Sequence, residues 1–179
     1  MTPLLSYASI QVTHVALEDA HVIAEIHVAS RQSAYASILL TEYLTSLSVE
    51  EREERWRKCI LEGTSELLVA KNNGIVQGWL NFGKCRDQDS PPNNAEIWAL
   101  YVSPESWSTG MGRALWVCAK ALMLGRGFKS CSLWVFPQNL RAIKFYQAAG
   151  FSHDSVLFKS FEVAGKQLQE VRYVRQLDA

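Results

Sequence analysis

The sequence predicts a mixed α/β fold built on a partly antiparallel sheet, and three observations carry that expectation. Two pairs of strand-length runs are joined by tight-turn residues: 66–71 and 75–83 around Asn72-Asn73-Gly74, and 151–161 and 166–175 around Ala164-Gly165. A single strand–helix–strand crossover is legible, from the apolar run 97–102 through a helix opening at Met111 to a strand over 129–136. The resulting order, β-α-α-β-β-β-α-β-α-β-β, lacks the alternation that a doubly wound parallel sheet needs.

Residues 11–17 alternate in strand fashion after a short start that reads as frayed. Glu18 and Asp19 open a helix to about residue 33, with Ala20, Ile23, Ala24, His27 and Val28 on one face, where His27 reads as a packing residue. Residues 32–40 connect it to the next segment. Thr41 reads as the N-cap of a segment over 42–47, and a further helix over 49–61 turns Trp56 and Ile60 inward. The cluster Glu50-Glu51-Arg52-Glu53-Glu54-Arg55 reads as a solvated helix face laced by i, i+4 pairs. After the first hairpin, residues 87–94 read as a polar loop with no core content. The crossover helix carries Met111, Ala114, Leu115, Cys118 and Leu122 on one face and ends near Gly125-Arg126-Gly127. Pro137 and Asn139 start the last helix, which runs to residue 150. No repeat or linker interrupts the chain, so one domain is expected over residues 1–179, with its core at about 10–176.

Composition sets the bounds. A chain of 179 residues with 48% hydrophobic and 20% charged residues can bury a full core and is not disordered. Zero formal net charge gives no global pull toward nucleic acid or an anionic membrane, so neither is expected as a partner. Cys59, Cys85, Cys118 and Cys131 form no C-x-x-C pair and read as free thiols, with no metal site expected. Residues 1–8 carry no basic-then-apolar leader and no run reaches transmembrane length, so the default location is cytoplasmic.

The chemistry concentrates between Val102 and Leu115, in Val102-Ser103-Pro104-Glu105-Ser106-Trp107-Ser108-Thr109-Gly110-Met111-Gly112-Arg113-Ala114-Leu115. A strand feeding a glycine turn and then a helix leaves the first helical N–H groups unpaired, and the helix dipole adds positive charge at the same end. That geometry suits a phosphate or pyrophosphate. The Rossmann fingerprint is absent, because Leu115 occupies its third small position, and so is a P-loop, because Arg113-Ala114 follows Gly112.

Residues 102–115 together with 133–151 resemble the GNAT superfamily of acetyl-CoA-dependent N-acetyltransferases. The family's turn reads Gln/Arg-x-x-Gly-x-Gly/Ala after a strand ending near Val-x-Pro; Val102, Pro104, Gly110 and Gly112 match, and Trp107 stands in place of Gln or Arg. Its later segment, Asn-x-x-Ala-x-x-Phe/Leu-Tyr-x-x-x-Gly-Phe, is matched by Asn139, Ala142, Phe145, Tyr146, Gly150 and Phe151. The resemblance implies a mixed, mostly antiparallel, strongly twisted sheet flanked by helices, and acetyl-CoA as cosubstrate. The key strand and the next one would splay at a bulge, letting pantetheine pair with the backbone of Leu100, Tyr101 and Val102. The pyrophosphate would sit on the N–H groups of Gly110, Met111, Gly112, Arg113 and Ala114, and Asn139 would cap the later helix or bond the pantetheine amide.

By the same resemblance, the reaction is transfer of the acetyl group to a primary amine of a small molecule or peptide by direct attack. Glu96 falls where many members carry the general base, with Ile97, Trp98 and Leu100 as an apolar wall, and the N–H of Tyr101 or Val102 would receive the oxyanion. Tyr146 would protonate the departing thiolate, with His153 as runner-up acid or base. The acceptor would be lined by residues 31–41, including Tyr35, and by the C-terminal hairpin; neither holds the dense acidic cluster of a polyamine or aminoglycoside site. Tyr35, Trp79 and Trp98 would shape its apolar part. The alternative is a non-catalytic acyl-CoA-binding sensor of the same fold; an unrelated ATP or NAD binder is third. Homodimers are common in the family, and nothing in the sequence fixes an interface.

Overall fold

A computed structural model describes the backbone of residues 5–7 and 9–177. The elements run β1 (Leu5–Tyr7), β2 (Ile10–His14), a 3-10 turn (Leu17–Asp19), α1 (Ala20–Ala34), α2 (Thr41–Thr45), α3 (Val49–Glu62), β3 (Glu66–Asn72), β4 (Ile75–Lys84) and β5 (Asn94–Val102). A second 3-10 turn (Pro104–Ser106) then leads to α4 (Met111–Gly125), β6 (Ser130–Val135), α5 (Leu140–Ala148), β7 (Ser152–Val163) and β8 (Lys166–Gln176). Among the described residues the strands form one sheet in the order β1-β2-β3-β4-β5-β6-β8-β7. Every neighbouring pair is antiparallel except β5 and β6, the two ends of the α4 crossover.

One sheet face carries Val12, Leu68, Leu80, Phe82, Ile97 and Leu133 against Met111, Leu115 and Cys118 of α4. The other carries Leu67, Val69 and Trp79 against Ile23 and Ile26 of α1, with Trp56 and Ile60 of α3 packed alongside. Each face thus buries one amphipathic helix stripe, which is where most helical stability in a domain of this size originates. Both hairpin turns hold two consecutive residues at positive φ, Asn73-Gly74 (49° and 82°) and Ala164-Gly165 (50° and 80°). That geometry twists with the strands it joins. At the end of α4, Gly127 (φ 83°) lets the chain turn back, and the Phe128 N–H donates to the Met123 carbonyl at 3.1 Å.

Several expectations change. The start that reads as frayed holds β1, paired with β2 from Leu5↔Val12 to Tyr7↔Ile10; residues 1–4 and 8 lie outside the described residues. Thr41 is the first residue of α2 and Leu40 takes the cap position without a side-chain bond. Burial of Ile38, Leu39 and Leu44 with Phe136 and Leu168, instead of a cap, fixes that segment. The polar loop before β5 is anchored inside. Asp87, with a side chain only 5% exposed, accepts from Trp134 Nε1 at 3.0 Å and pairs with Lys159 at 2.6 Å, and Asn94 Nδ2 donates to Ser132 Oγ at 3.0 Å. In the α3 cluster, Glu53 pairs with Arg57 and with His21 of α1, while among the described residues Arg52 and Arg55 have no carboxylate partner.

Two irregularities in β5 shape everything that follows. Asn81 faces Ala99 and Phe82 faces Ile97, so Trp98 is an extra residue with no partner on β4. This bulge reverses the alternation: Ile97 and Leu100 join the α4 side, Ala99 and Tyr101 the α1 side. On the other edge, pairing with β6 stops at Ile97↔Leu133, although β5 continues to Val102 and β6 to Val135. The strands part there and leave a gap in the sheet. Among the described residues no helix is long and apolar enough to cross a membrane, and no cluster of three or more His, Cys, Asp or Glu is placed to hold a metal.

Candidate active site

The gap joins two cavities. The larger, about 510 Å³, lies over the start of α4 and is lined by residues that include Leu100, Tyr101, Val102, Gly110, Gly112, Arg113, Asn139, Arg141, Lys144 and Tyr146. The smaller, about 240 Å³, lies against α1 and the β7–β8 hairpin and is lined by residues that include Arg31, Tyr35, Trp98, Tyr101, Trp134, Phe136, Phe161 and Glu170. Tyr35, Leu100, Tyr101, Asn139, Ala142 and Tyr146 belong to both, so the two spaces communicate between β5 and β6.

At the first cavity, Gly110 adopts φ 97° and Ser108 φ 64°, a turn that brings the chain round into α4. A side chain at Gly110 would strain that backbone. The Ala114 N–H is spent on the Gly110 carbonyl at 2.9 Å, so the helical amides left for an anion are those of Met111, Gly112 and Arg113. Ala114 therefore drops out of the cradle the sequence suggests. The Met111 side chain is buried in the core and leaves only its amide. Gly112 is needed twice, because a Cβ there would press to 3.3 Å of the Phe145 ring.

Trp107 holds the turn. Its Nε1–H donates to the Val102 carbonyl at 2.8 Å, where Ser30 Oγ also donates at 2.8 Å. The guanidinium of Arg141 lies over the indole. A cation from α5 thus reaches the position where Gln or Arg would otherwise serve. Arg113, Arg141 and Lys144 line this cavity and no carboxylate does. An anionic ligand is the electrostatic match. Arg141 and Lys144 escaped the sequence reading, although their i, i+3 spacing beside Asn139 places them on one face of α5.

The edge of β5 is equally specific. The Ser103 N–H donates to the Gln77 carbonyl on the β4 side at 2.8 Å. Alternation then directs the Tyr101 amide toward β4 and those of Leu100 and Val102 into the gap. Of the two amides suggested for the oxyanion, that of Val102 faces the gap, and the Val102 carbonyl is already occupied. Asn139 caps α5, its Oδ1 accepting from the Ala142 N–H at 3.2 Å, and it lines both cavities.

Tyr146 stands where the cavities meet, its ring edge-on to Phe145 at 5.3 Å and Phe151 at 5.8 Å. Burial raises its phenol well above the ordinary tyrosine range, so it stays protonated at neutral pH. Tyr35, at the end of α1, is raised by burial in the same way and packs edge-on to Phe136 at 5.1 Å. Trp79 is core, fully buried, with Nε1 donating to the Ile23 carbonyl at 3.0 Å. His153 is exposed beside Tyr173 and lines neither cavity.

Glu96 is 1% exposed and lines neither cavity. Its carboxylate accepts from the Arg86 backbone N–H at 2.9 Å and from Arg86 Nε at 3.1 Å, and the other oxygen accepts from Nη2. Arg86 in turn lies 4.7 Å over the Trp98 ring, and Gly83 leaves room for that ring, where a Cβ would come within 2.6 Å. Glu96 thus sits behind the wall of the second cavity. The carboxylate that lines it is Glu170, whose pKa is raised by burial. Glu170 is in phase with buried Leu168 on β8, and that alternation is the sequence signal that could have found it.

Comparison with known proteins agrees with this geometry. Residues 32–151 match the Acetyltransferase (GNAT) family. The chain is 35% identical over 162 residues to the uncharacterized N-acetyltransferase YuaI of Bacillus subtilis, covering 90% of each chain. It is 27% identical over 165 residues to the spermidine N(1)-acetyltransferase of Thermoplasma acidophilum, covering 86% of this chain and 99% of that one. In fold it is similar to the PaiA N-acetyltransferase of Thermoplasma acidophilum in complex with coenzyme A, with a TM-score of 0.71, 23% identity and coverage of 94% and 99%. YncA, an acetyltransferase of Salmonella typhimurium solved with acetyl-CoA, gives 0.72 at 22% identity, covering 95% of each chain. With its cation-lined turn, its split between β5 and β6 and a family match over two-thirds of its length, the chain belongs to the GNAT acetyltransferase family.

Proposed function

We propose that this enzyme transfers the acetyl group of acetyl-CoA to a primary amine of a small molecule or peptide, by direct attack within a ternary complex. One observation carries the reading: a cation-lined cavity at a helix N-terminus opens, through the gap between β5 and β6, into a second cavity on the far side of Tyr146. The CoA phosphates fit the amides of Met111, Gly112 and Arg113 with Arg113, Arg141 and Lys144 around them. The pantetheine arm fits the free edge at Leu100, and the amine enters from the second cavity. A sensor that only bound CoA would need no second cavity.

In this reading the amine nitrogen bonds to the acetyl carbon and the C–S bond breaks. The Val102 amide receives the oxyanion, and the Tyr146 hydroxyl gives its proton to sulfur and recovers one from nitrogen. The proton lost by the ammonium before attack goes to Glu170. Glu96, the base suggested by its sequence position, has its oxygens engaged by Arg86 and positions Trp98 through that arginine. Tyr146→Phe should lower turnover at least tenfold and leave acetyl-CoA affinity nearly unchanged, as measured by steady-state kinetics beside calorimetric titration. Equal turnover would remove Tyr146 from the mechanism. Because burial raises the Glu170 pKa, the rising limb of kcat/KM should lie above the ordinary carboxylate range. Glu170→Gln should flatten that limb and Glu96→Gln should not; the opposite pattern returns the base role to Glu96.

A further inference from the structure

The second cavity carries one acid and one base that do not pair with each other. Arg31, half-buried on α1, lines it with its guanidinium 5.2 Å over the Tyr35 ring. Its one hydrogen bond among the described residues is long, 3.4 Å from Nη1 to the Tyr101 hydroxyl. Its Nε is buried with no hydrogen-bond partner among the described residues. A half-buried guanidinium whose inner nitrogen is shut off from water, and which faces a cavity without an anion beside it, is an unfilled donor set, and its fork matches a carboxylate. Arg52 and Arg55 on α3 are its electrostatic neighbours, although neither lines the cavity. Among the described residues none of the three has a carboxylate partner. Glu170, on β8, is the acidic residue lining the same cavity, and it forms no ion pair among the described residues. Trp98, Trp134, Phe136 and Phe161 supply aromatic wall.

Resting on the acetyltransferase reading, we infer that the acceptor is a small zwitterion, an amino acid with an apolar side chain, whose carboxylate pairs with Arg31 and whose amine faces Glu170. A polyamine, the substrate named for one relative, would place positive charge beside Arg31 with a single carboxylate lining the cavity to meet it.

The test pairs methionine and phenylalanine with their carboxamides, adds spermidine, and uses the full chain with acetyl-CoA. Release of free thiol reports turnover, and tryptophan fluorescence in the presence of CoA reports acceptor binding independently of chemistry, because Trp98 and Trp134 line the cavity. The free acids should show kcat/KM at least tenfold above their amides and above spermidine. Arg31→Ala should collapse the acid-to-amide ratio toward one while CoA binding persists, and Arg31→Lys should restore part of it. Amides or spermidine used as well as the acids, an unchanged ratio in Arg31→Ala, or no saturable binding of either amino acid would overturn the inference. CoA binding with amino-acid binding but no thiol release would leave the recognition standing and sink the catalytic reading; absence of CoA binding would sink that reading alone.

Discussion

His27 lies among Trp56, Trp79 and Tyr101, with ring centroids at 5.9, 5.4 and 4.8 Å. Burial, with help from Arg52, Arg31 and Arg55, lowers its pKa to about 3. The folded protein therefore binds fewer protons than the unfolded chain between that value and 6.5, so its contribution is complete above pH 6.5 and is lost as pH falls. The expected loss is about 1.4 kcal/mol per pH unit across that window. Urea titrations at pH 7 and pH 5 measure it, and a His27→Gln variant should lose less stability between them than the native chain. His27 as packing, Tyr146 at the cleft and Asn139 as a cap were legible because each has a local signature in periodicity or motif. Arg31 was not singled out, since its lack of an anionic partner among the described residues shows only in the folded arrangement; Glu170 was missed although its phase with Leu168 pointed to it.

At the scale of elements, both hairpins were legible, because consecutive positive-φ positions favour Asn-Gly and tolerate Ala-Gly. A bulge in β5 was expected from the family resemblance, and only its position at Trp98 was not legible. Residues 97–102 are all apolar, so the run carries no alternation from which an inserted residue could be detected. The anchoring of the loop before β5 was equally hidden, since Asp87 meets Trp134, Lys159 and Arg172, far away in the chain. Asp87→Asn should destabilise the fold by about 1 to 2 kcal/mol, less than breaking a fully buried pair, because Lys159 is half-exposed and Arg172 keeps Asp89 and Asp154. Chemical denaturation checks this, and a change below 0.5 kcal/mol, roughly the scale of a neutral surface substitution, would deny the anchor its role. In α5, Arg141→Ala removes both a cavity cation and the cover over Trp107. It should weaken CoA binding about tenfold in calorimetry, with the loss shrinking at high salt. Unchanged affinity would show that the Trp107–Arg141 pair does not substitute for the family's usual side chain.

For the molecule as a whole, zero net charge conceals a division of labour. Cations gather at the α4–α5 cavity, and one arginine, Arg31, with one glutamate, Glu170, lines the second. The single parallel pair follows from the one strand–helix–strand crossover legible in the sequence, and the two cavities meet where that pair splits. The account's central claim is that this split holds CoA. Thermal unfolding with acetyl-CoA, CoA, ATP and NAD side by side tests it directly. At about 100 times the dissociation constant, a bound ligand adds roughly 2.7 kcal/mol, or about 5 to 10 °C for a chain of this size. The account predicts that shift for acetyl-CoA and CoA and none for ATP or NAD; no shift with the CoA pair would contradict it.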